Sequence, residues 1–224
     1  MNRKKRPEFF FYSHRANGYR FDRMRRLRFL VFLFTLASWT LSAQTDPAPG
    51  LRNAVVLIIR HAEKPPEGYE LTPAGFKRAS AYPGYFQHFQ FDSQPVKPDA
   101  LFAAADSKSS HRPRLTLEPL SQASGVHLDA GFKAKQPGAL AEALKTSPHG
   151  TNILICWHHG QIPELIRDLG GDPGKFLPNG KWPDDVFQWI VVLRYDGEGR
   201  LIPGKSRCVN ENLMPEDASH NPPQ

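Results

Sequence analysis

Two apolar runs constrain this chain more than anything else in it. Residues 54–59 (AVVLII) and 152–157 (NILICW) are short, rich in β-branched side chains and continuous rather than alternating. That is the pattern of strands covered on both faces. The first run ends in Arg60-His61 and the second in His158-His159. Polar groups at the tip of a core strand cost desolvation energy unless something partners them.

Between and around these runs, strand-like and helix-like segments alternate. "LTPAGFKRASAYPGYFQHF" is helical in pattern, with Thr72 placed to cap it and Pro73 at its first position, where a missing N–H does no harm. Pro83-Gly84 predicts a kink or break there. "PDALFAAA" predicts a second strand ending near Ala104, residues 112–123 a helix opening with Pro113, "GVHLD" a third strand, and 138–145 another helix. "HHGQIPELIRDLGG" carries apolar residues at Ile162, Leu165, Ile166 and Leu169, a helical period stopped by Gly170-Gly171. "DVFQWIVVLRYDGEGRLIP" predicts a strong strand turned by Asp196-Gly197 into a hairpin. The alternation predicts a three-layer α/β/α sandwich with a mostly parallel central sheet. Ligands of such sheets bind outside the carboxyl ends of the strands. If the runs at 54–59 and 152–157 are parallel neighbours, their histidines meet at one edge.

The chain ends are of a different character. "MRRLRFLVFLFTLASWTLSAQ" has an arginine-rich start, an apolar run from Phe29 to Leu41 and small residues at Ser42-Ala43, the pattern of a secretory signal peptide. An apolar run of about 13 residues falls short of the roughly 20 a membrane span needs, so no stable span is expected once the signal is cleaved; an uncleaved anchor is the competing expectation. Residues 1–43 therefore form an N-terminal extension and signal, 44–209 the domain, and 210–224 a polar, Pro-rich tail expected to be loosely ordered. The predicted location is exported, periplasmic or extracellular. Of the 29 Lys/Arg and 22 Asp/Glu, ten and two lie in residues 1–43, leaving 19 and 20 for the remainder. The domain thus has almost no net charge and no basic field of the kind nucleic acid requires. Cys156 lies in an apolar run; in an exported protein a Cys156–Cys208 disulfide is possible. No HExxH or comparable carboxylate–histidine spacing predicts a metal site.

Arginine matches phosphate oxygens in bidentate fashion and stays charged at every relevant pH. Neutral histidine is a nucleophile near pH 7. Arg60, His61, Arg112 and His158/His159 converging on one sheet edge would suit attack on a phosphoryl group. Arg114, two residues from Arg112, is expected to be a solvated charge. Lys64, next to His61, is a candidate for contact with substrate, and His111 and the serines at 107–110 are candidates for the rim.

These residues also carry a family resemblance. "LIIRHAEKP" resembles the Arg-His-Gly/Ala motif of the histidine phosphatase superfamily, whose fold is phosphoglycerate mutase-like. "RPRLT" resembles its Arg-x-x-x-Thr motif through Arg112 and Thr116, and "ILICWHHGQIPELI" its late strand–His-Gly–helix motif. The resemblance implies a cofactor-independent phosphatase acting on a small phosphorylated substrate. His61 would be the nucleophile that becomes phosphohistidine, with Arg60 and Arg112 clamping the phosphate. His159 precedes Gly160 as in the His-Gly motif and is the favoured second histidine; His158 gives the gap-free match and is the alternative.

The departures matter too. "DSKSSHR" replaces the Ser-Pro pair many members have before the second arginine, and no Glu-Gly follows the second motif to supply a proton. Glu63 is the candidate donor, with Asp129 a more distant one. A general acid is worth about 10²–10⁴-fold, so its loss favours substrates with good leaving groups. It also leaves open a catalytically silent phosphate-ligand binder on the same fold. Small phosphohistidine phosphatases of the superfamily lack the usual acid as well. The sequence does not specify an oligomeric state.

Overall fold

A computed structural model describes residues 50–219 and 221–223. The signal segment and the alternative anchor therefore lie outside the described residues. Among the described ones, no helix is long and apolar enough to cross a membrane.

The first apolar run forms β1 (Val55–Arg60), every residue of it buried. Helix α1 (Pro73–Gln87) follows, a small hairpin of β2 (Gln90–Phe91) and β3 (Gln94–Pro95), then β4 (Ala100–Ala104) and α2 (Arg112–Ser124). The chain continues through β5 (Leu128–Phe132), α3 (Pro137–Thr146), β6 (Asn152–Trp157), α4 (Ile162–Asp168), β7 (Trp189–Arg194) and β8 (Arg207–Asn210). The central sheet has the order β5-β4-β6-β1-β7-β8. Its first four strands run parallel, while β7 and β8 add antiparallel pairings at one side.

Alternation along the strands divides the core in two. Val56, Ile58, Ile153 and Ile155 pack with Leu140, Leu144, Leu165 and Ile166 from α3 and α4. Leu57, Ile59, Leu154 and Cys156 pack with Tyr82, Phe86, Leu117 and Leu120 from α1 and α2. Two buried sheet faces and helices on both give the three layers. They also explain why the central strands read as continuous apolar runs.

Four sequence expectations change. First, α1 runs through Pro83 without a break. Tyr82 and Phe86 on either side are fully buried and stack within an aromatic cluster with Tyr85 and Phe89, so packing overrides the lost hydrogen bond. Second, Cys156 and Cys208 are free thiols. Their strands β6 and β8 are separated by β1 and β7, about 14 Å at the usual strand spacing, against about 7 Å for a bridge. Third, the Asp196-Gly197 turn returns only as far as a Tyr195–Leu201 bridge, and the pairing strand β8 begins at Arg207.

Fourth, the segment after Asn210 is tied down rather than loose. Glu211 and Asp217 both pair with buried Arg78 of α1, at 2.9 and 2.7 Å, and Arg78 also holds Glu63, at 2.7 Å. Tyr82 donates its hydroxyl proton to Glu211 at 2.9 Å. The polar composition of the tail concealed charges whose partner sits more than a hundred residues earlier.

Candidate functional site

Strands β1 and β6 are parallel neighbours with Arg60 paired to Trp157, so His61 and His158 emerge side by side at the carboxyl edge. The His61 N–H donates to the Trp157 carbonyl at 3.0 Å, and the two imidazoles meet edge-on with centroids 5.2 Å apart.

His61 is 1% exposed. Its Nδ1 lies 2.8 Å from the Ala62 carbonyl. A carbonyl oxygen only accepts, so this bond places the ring proton on Nδ1 and leaves the Nε2 lone pair free. Burial, and after it the charges of Arg60 and Arg112 and the neighbouring His158, hold the imidazole down to about 2, so it is neutral at any physiological pH.

Thr116, fully buried on α2, fixes the next peptide. Its hydroxyl accepts from the Ala62 N–H at 2.9 Å and donates to the Arg112 carbonyl at 2.8 Å. One side chain thus ties the turn after His61 to the first turn of the helix that starts with Arg112. This is the physical content of the Arg-x-x-x-Thr spacing. The other flank is held by α1. Thr72 accepts from Gly75 N–H, as predicted of its cap, and its own N–H donates to the Glu63 carbonyl at 2.9 Å. A Cβ at Gly75 would meet that carbonyl at 2.5 Å, so glycine is needed for the close approach.

Arg60, the last residue of β1, is fully buried and shares Phe187 as a neighbour with His61, whose ring centroid lies 6.4 Å from that of Phe187. Its Nη1 donates to the carbonyls of Pro183, Asp184 and Val186 at 3.2, 2.6 and 3.0 Å, and its Cζ stacks 3.9 Å from the Phe187 ring centre. Nothing in the sequence pattern of "WPDDVFQ" marked it as a cradle. Only the loop's position before β7 does that. Arg112 donates through Nη1 to the Gly68 carbonyl at 2.9 Å. Arg60 Nε and Nη2 and Arg112 Nε are buried without a hydrogen-bond partner among the described residues. Burial lowers Arg60 to about 10, and burial lowers Arg112 as well.

The two late histidines separate. His158 stands against His61; burial, then Arg112, His159 and Arg60, bring it to about 4. His159 turns toward the exposed Asp184, with Nε2 2.9 Å from Oδ1, and its Nδ1 is buried without a partner. The histidine beside His61 is therefore His158 rather than the one that precedes Gly160. The strand ends at Trp157, and the first residue beyond it inherits the position next to His61.

Glu63 is held through one of its two oxygens. Its Oε1 accepts two hydrogen bonds from Arg78, at 2.9 and 2.7 Å, while its Oε2 is buried without a hydrogen-bond partner among the described residues. Asp129, on β5, is used locally, accepting from the Gly131 N–H at 2.8 Å. Arg114 pairs with Asp106 and Glu118 at the surface, as a solvated charge would. His111 packs on Tyr69, and a cleft of about 730 Å³ opens from Arg112 and His158 past the 107–110 loop. Among the described residues, no group of three His, Cys, Asp or Glu is disposed to hold a metal ion.

What the fold and site define is a three-layer α/β protein with a neutral histidine between two under-partnered arginines at its sheet edge. No family model and no curated protein matches the chain. Solved structures similar to it include the protein histidine phosphatase SixA complexed with tungstate, at 14% identity over 66% of this chain and 92% of that one, with a TM-score of 0.40. Phosphoglycerate mutase from Plasmodium falciparum is similar at 18% identity over 66% and 87%, with a TM-score of 0.42. A mycobacterial hydrolase 1 is similar at 13% over 70% and 96%, with a TM-score of 0.41. Likenesses this distant add no weight to the site's own chemistry.

Proposed function

We propose that this chain is a histidine-type phosphatase that hydrolyses a small phosphomonoester or phosphoramidate through a phosphohistidine on His61. The observation that supports it best is the set of unpartnered guanidinium nitrogens, Arg60 Nε and Nη2 and Arg112 Nε, around a neutral His61. Each buried donor left unpaired costs about 1–3 kcal/mol, a cost that a bound oxyanion would remove. Two guanidinium groups favour a phosphoryl dianion over a neutral ligand.

In this reading the Nε2 lone pair of His61 attacks phosphorus, and the bond to the leaving oxygen or nitrogen breaks as the N–P bond forms. Arg60, Arg112 and His158 stabilise the equatorial oxygens. The proton stays on Nδ1, and its hydrogen bond to the Ala62 carbonyl helps disperse the charge that develops on the ring. Water then attacks the phosphohistidine, releasing phosphate and restoring neutral His61. With Glu63 held by Arg78, the leaving group takes its proton from water. Good leaving groups, phosphoramidates and aryl phosphates among them, are favoured accordingly. The 1–43 extension supports an exported protein with a periplasmic or extracellular substrate.

The test is turnover of p-nitrophenyl phosphate. His61→Ala is expected to abolish it while the folded circular dichroism signature is retained; turnover equal to the native protein's would sink the proposal. The commitment of Glu63 favours one second reading, a phosphate-ligand binder without turnover. Micromolar binding of phosphate esters with no hydrolysis across a broad panel would support it.

A further inference from the structure

Arg78 on α1 is buried, charged and one side chain removed from the His61 turn, yet the chemistry above does not use it. All five of its N–H groups are spent. Nε and Nη2 donate to Glu63 Oε1 at 2.9 and 2.7 Å, Nη1 donates to Glu211 Oε2 at 2.9 Å, and Nη1 and Nη2 donate to the two oxygens of Asp217 at 3.0 and 2.7 Å. Glu63 stands two residues after His61, and the carbonyl of the intervening Ala62 orients the imidazole.

The other two carboxylates belong to one short segment, 211–217, which is itself well held. Asp217 Oδ2 accepts from the Leu213 and Met214 N–H groups at 2.9 and 2.8 Å, closing a turn around its own carboxylate. Glu211 Oε1 accepts from the Tyr82 hydroxyl at 2.9 Å. The same segment also reaches the other half of the pocket. The Glu211 N–H donates to the Gln188 carbonyl at 2.7 Å, and Gln188 Nε2 donates to the Asp217 carbonyl at 3.4 Å. Gln188 Oε1 in turn accepts from the Phe187 N–H at 2.9 Å. Phe187 is the ring stacked 3.9 Å from Arg60 Cζ, with its centroid 6.4 Å from that of His61.

Burying a guanidinium with three carboxylates costs desolvation and often stabilises no better than apolar side chains of the same volume. What a fully bonded polar cluster adds is rigidity and one defined arrangement. We propose that 211–217 is a positioning strap for the reaction: Asp217 and Glu211, acting through Arg78 and Gln188, set the His61 turn and Arg60 in place relative to each other. The strap acts through these residues and is not itself catalytic. It rests on the phosphatase reading above, and the experiment separates the two.

Asp217→Asn turns one of the oxygens facing Arg78 into a donor at almost unchanged volume. It is compared with Leu144→Ala, a truncation in the core on the α3–α4 side of the sheet, under conditions where urea curves show each variant folded. Asp217→Asn is expected to lower kcat for p-nitrophenyl phosphate about tenfold, part of the roughly 10²-fold that a full misplacement costs. It is also expected to shift the Nδ1–H resonance of His61, while Leu144→Ala moves neither. Glu211→Gln, which removes one acceptor, is expected to move both readouts in the same direction, and carries the test if Asp217→Asn does not fold. A merely structural segment would lower the urea midpoint and nothing else. Either readout at its native value in the folded strap variants would overturn the strap and leave the phosphatase reading standing. Native protein that turns over no p-nitrophenyl phosphate would remove that reading, and the role of the strap with it.

Discussion

Thr116→Val is the sharpest perturbation of the site's architecture, because it removes one oxygen and almost no volume. The Thr116 hydroxyl accepts from Ala62 N–H at 2.9 Å and donates to the Arg112 carbonyl at 2.8 Å, in a fully buried position. The Arg112 carbonyl keeps its place in the first turn of α2, so the loss on that side is small. The Ala62 N–H loses its acceptor where water cannot replace it, at about 1–3 kcal/mol. Thr116→Ser keeps both bonds and loses one methyl group, at about 1 kcal/mol.

The two variants should therefore be close in stability but far apart in catalysis. Ala62, whose N–H is released, is also the residue whose carbonyl orients His61. A positioning error of this kind is worth about 10²-fold. Urea denaturation would be read for the midpoint at constant slope, alongside kcat/KM for p-nitrophenyl phosphate. Thr116→Val is expected to lose most activity and Thr116→Ser little. Equal activity in both would refute the claim that this hydroxyl aligns the nucleophile with Arg112.

Other consequences can be measured as directly. His158→Gln should cut kcat by about 10²-fold or more, the scale of one lost transition-state donor, whereas His159→Gln, which loses only an exposed pairing with Asp184, should cost far less. Arg78→Met should destabilise the fold by about 3–5 kcal/mol in urea, since it strands the buried carboxylates of Glu211 and Asp217; a change below about 1 kcal/mol would mean the tail contributes nothing. Nitrogen-15 NMR of the phosphate-free protein should show His61 and His158 neutral from pH 5.5 to 8, since both are depressed, to about 2 and about 4. The linked effect on stability has the same sign for both: the unfolded state binds protons first as pH falls through about 6.5, so stability is lost on the acid side.

The fold was largely legible because its central strands are buried on both faces, which makes them continuous apolar runs with helical segments between. The candidate pocket was legible where its residues sit at a strand end, Arg60 and His61, and at a helix start, Arg112. It was less legible where function depends on contacts distant in sequence. The cradle of Arg60 is made of backbone carbonyls from 183–186, which leave no mark on side-chain pattern. Glu63 was a candidate by proximity to His61, but the hold that Arg78, fifteen residues on, has on its Oε1 left no mark in the sequence pattern. The choice between His158 and His159 depended on where β6 ends, a boundary that sequence pattern sets only to within a few residues.

The central claim is that His61 carries the phosphoryl group. Rapid quenching during turnover of an aryl phosphate, followed by mapping of acid-labile phosphate by mass spectrometry, tests it most directly. The account predicts label on the peptide containing His61, absent in His61→Ala. Full turnover with no phosphohistidine, or label on the peptide of His158 and His159 instead, would contradict it.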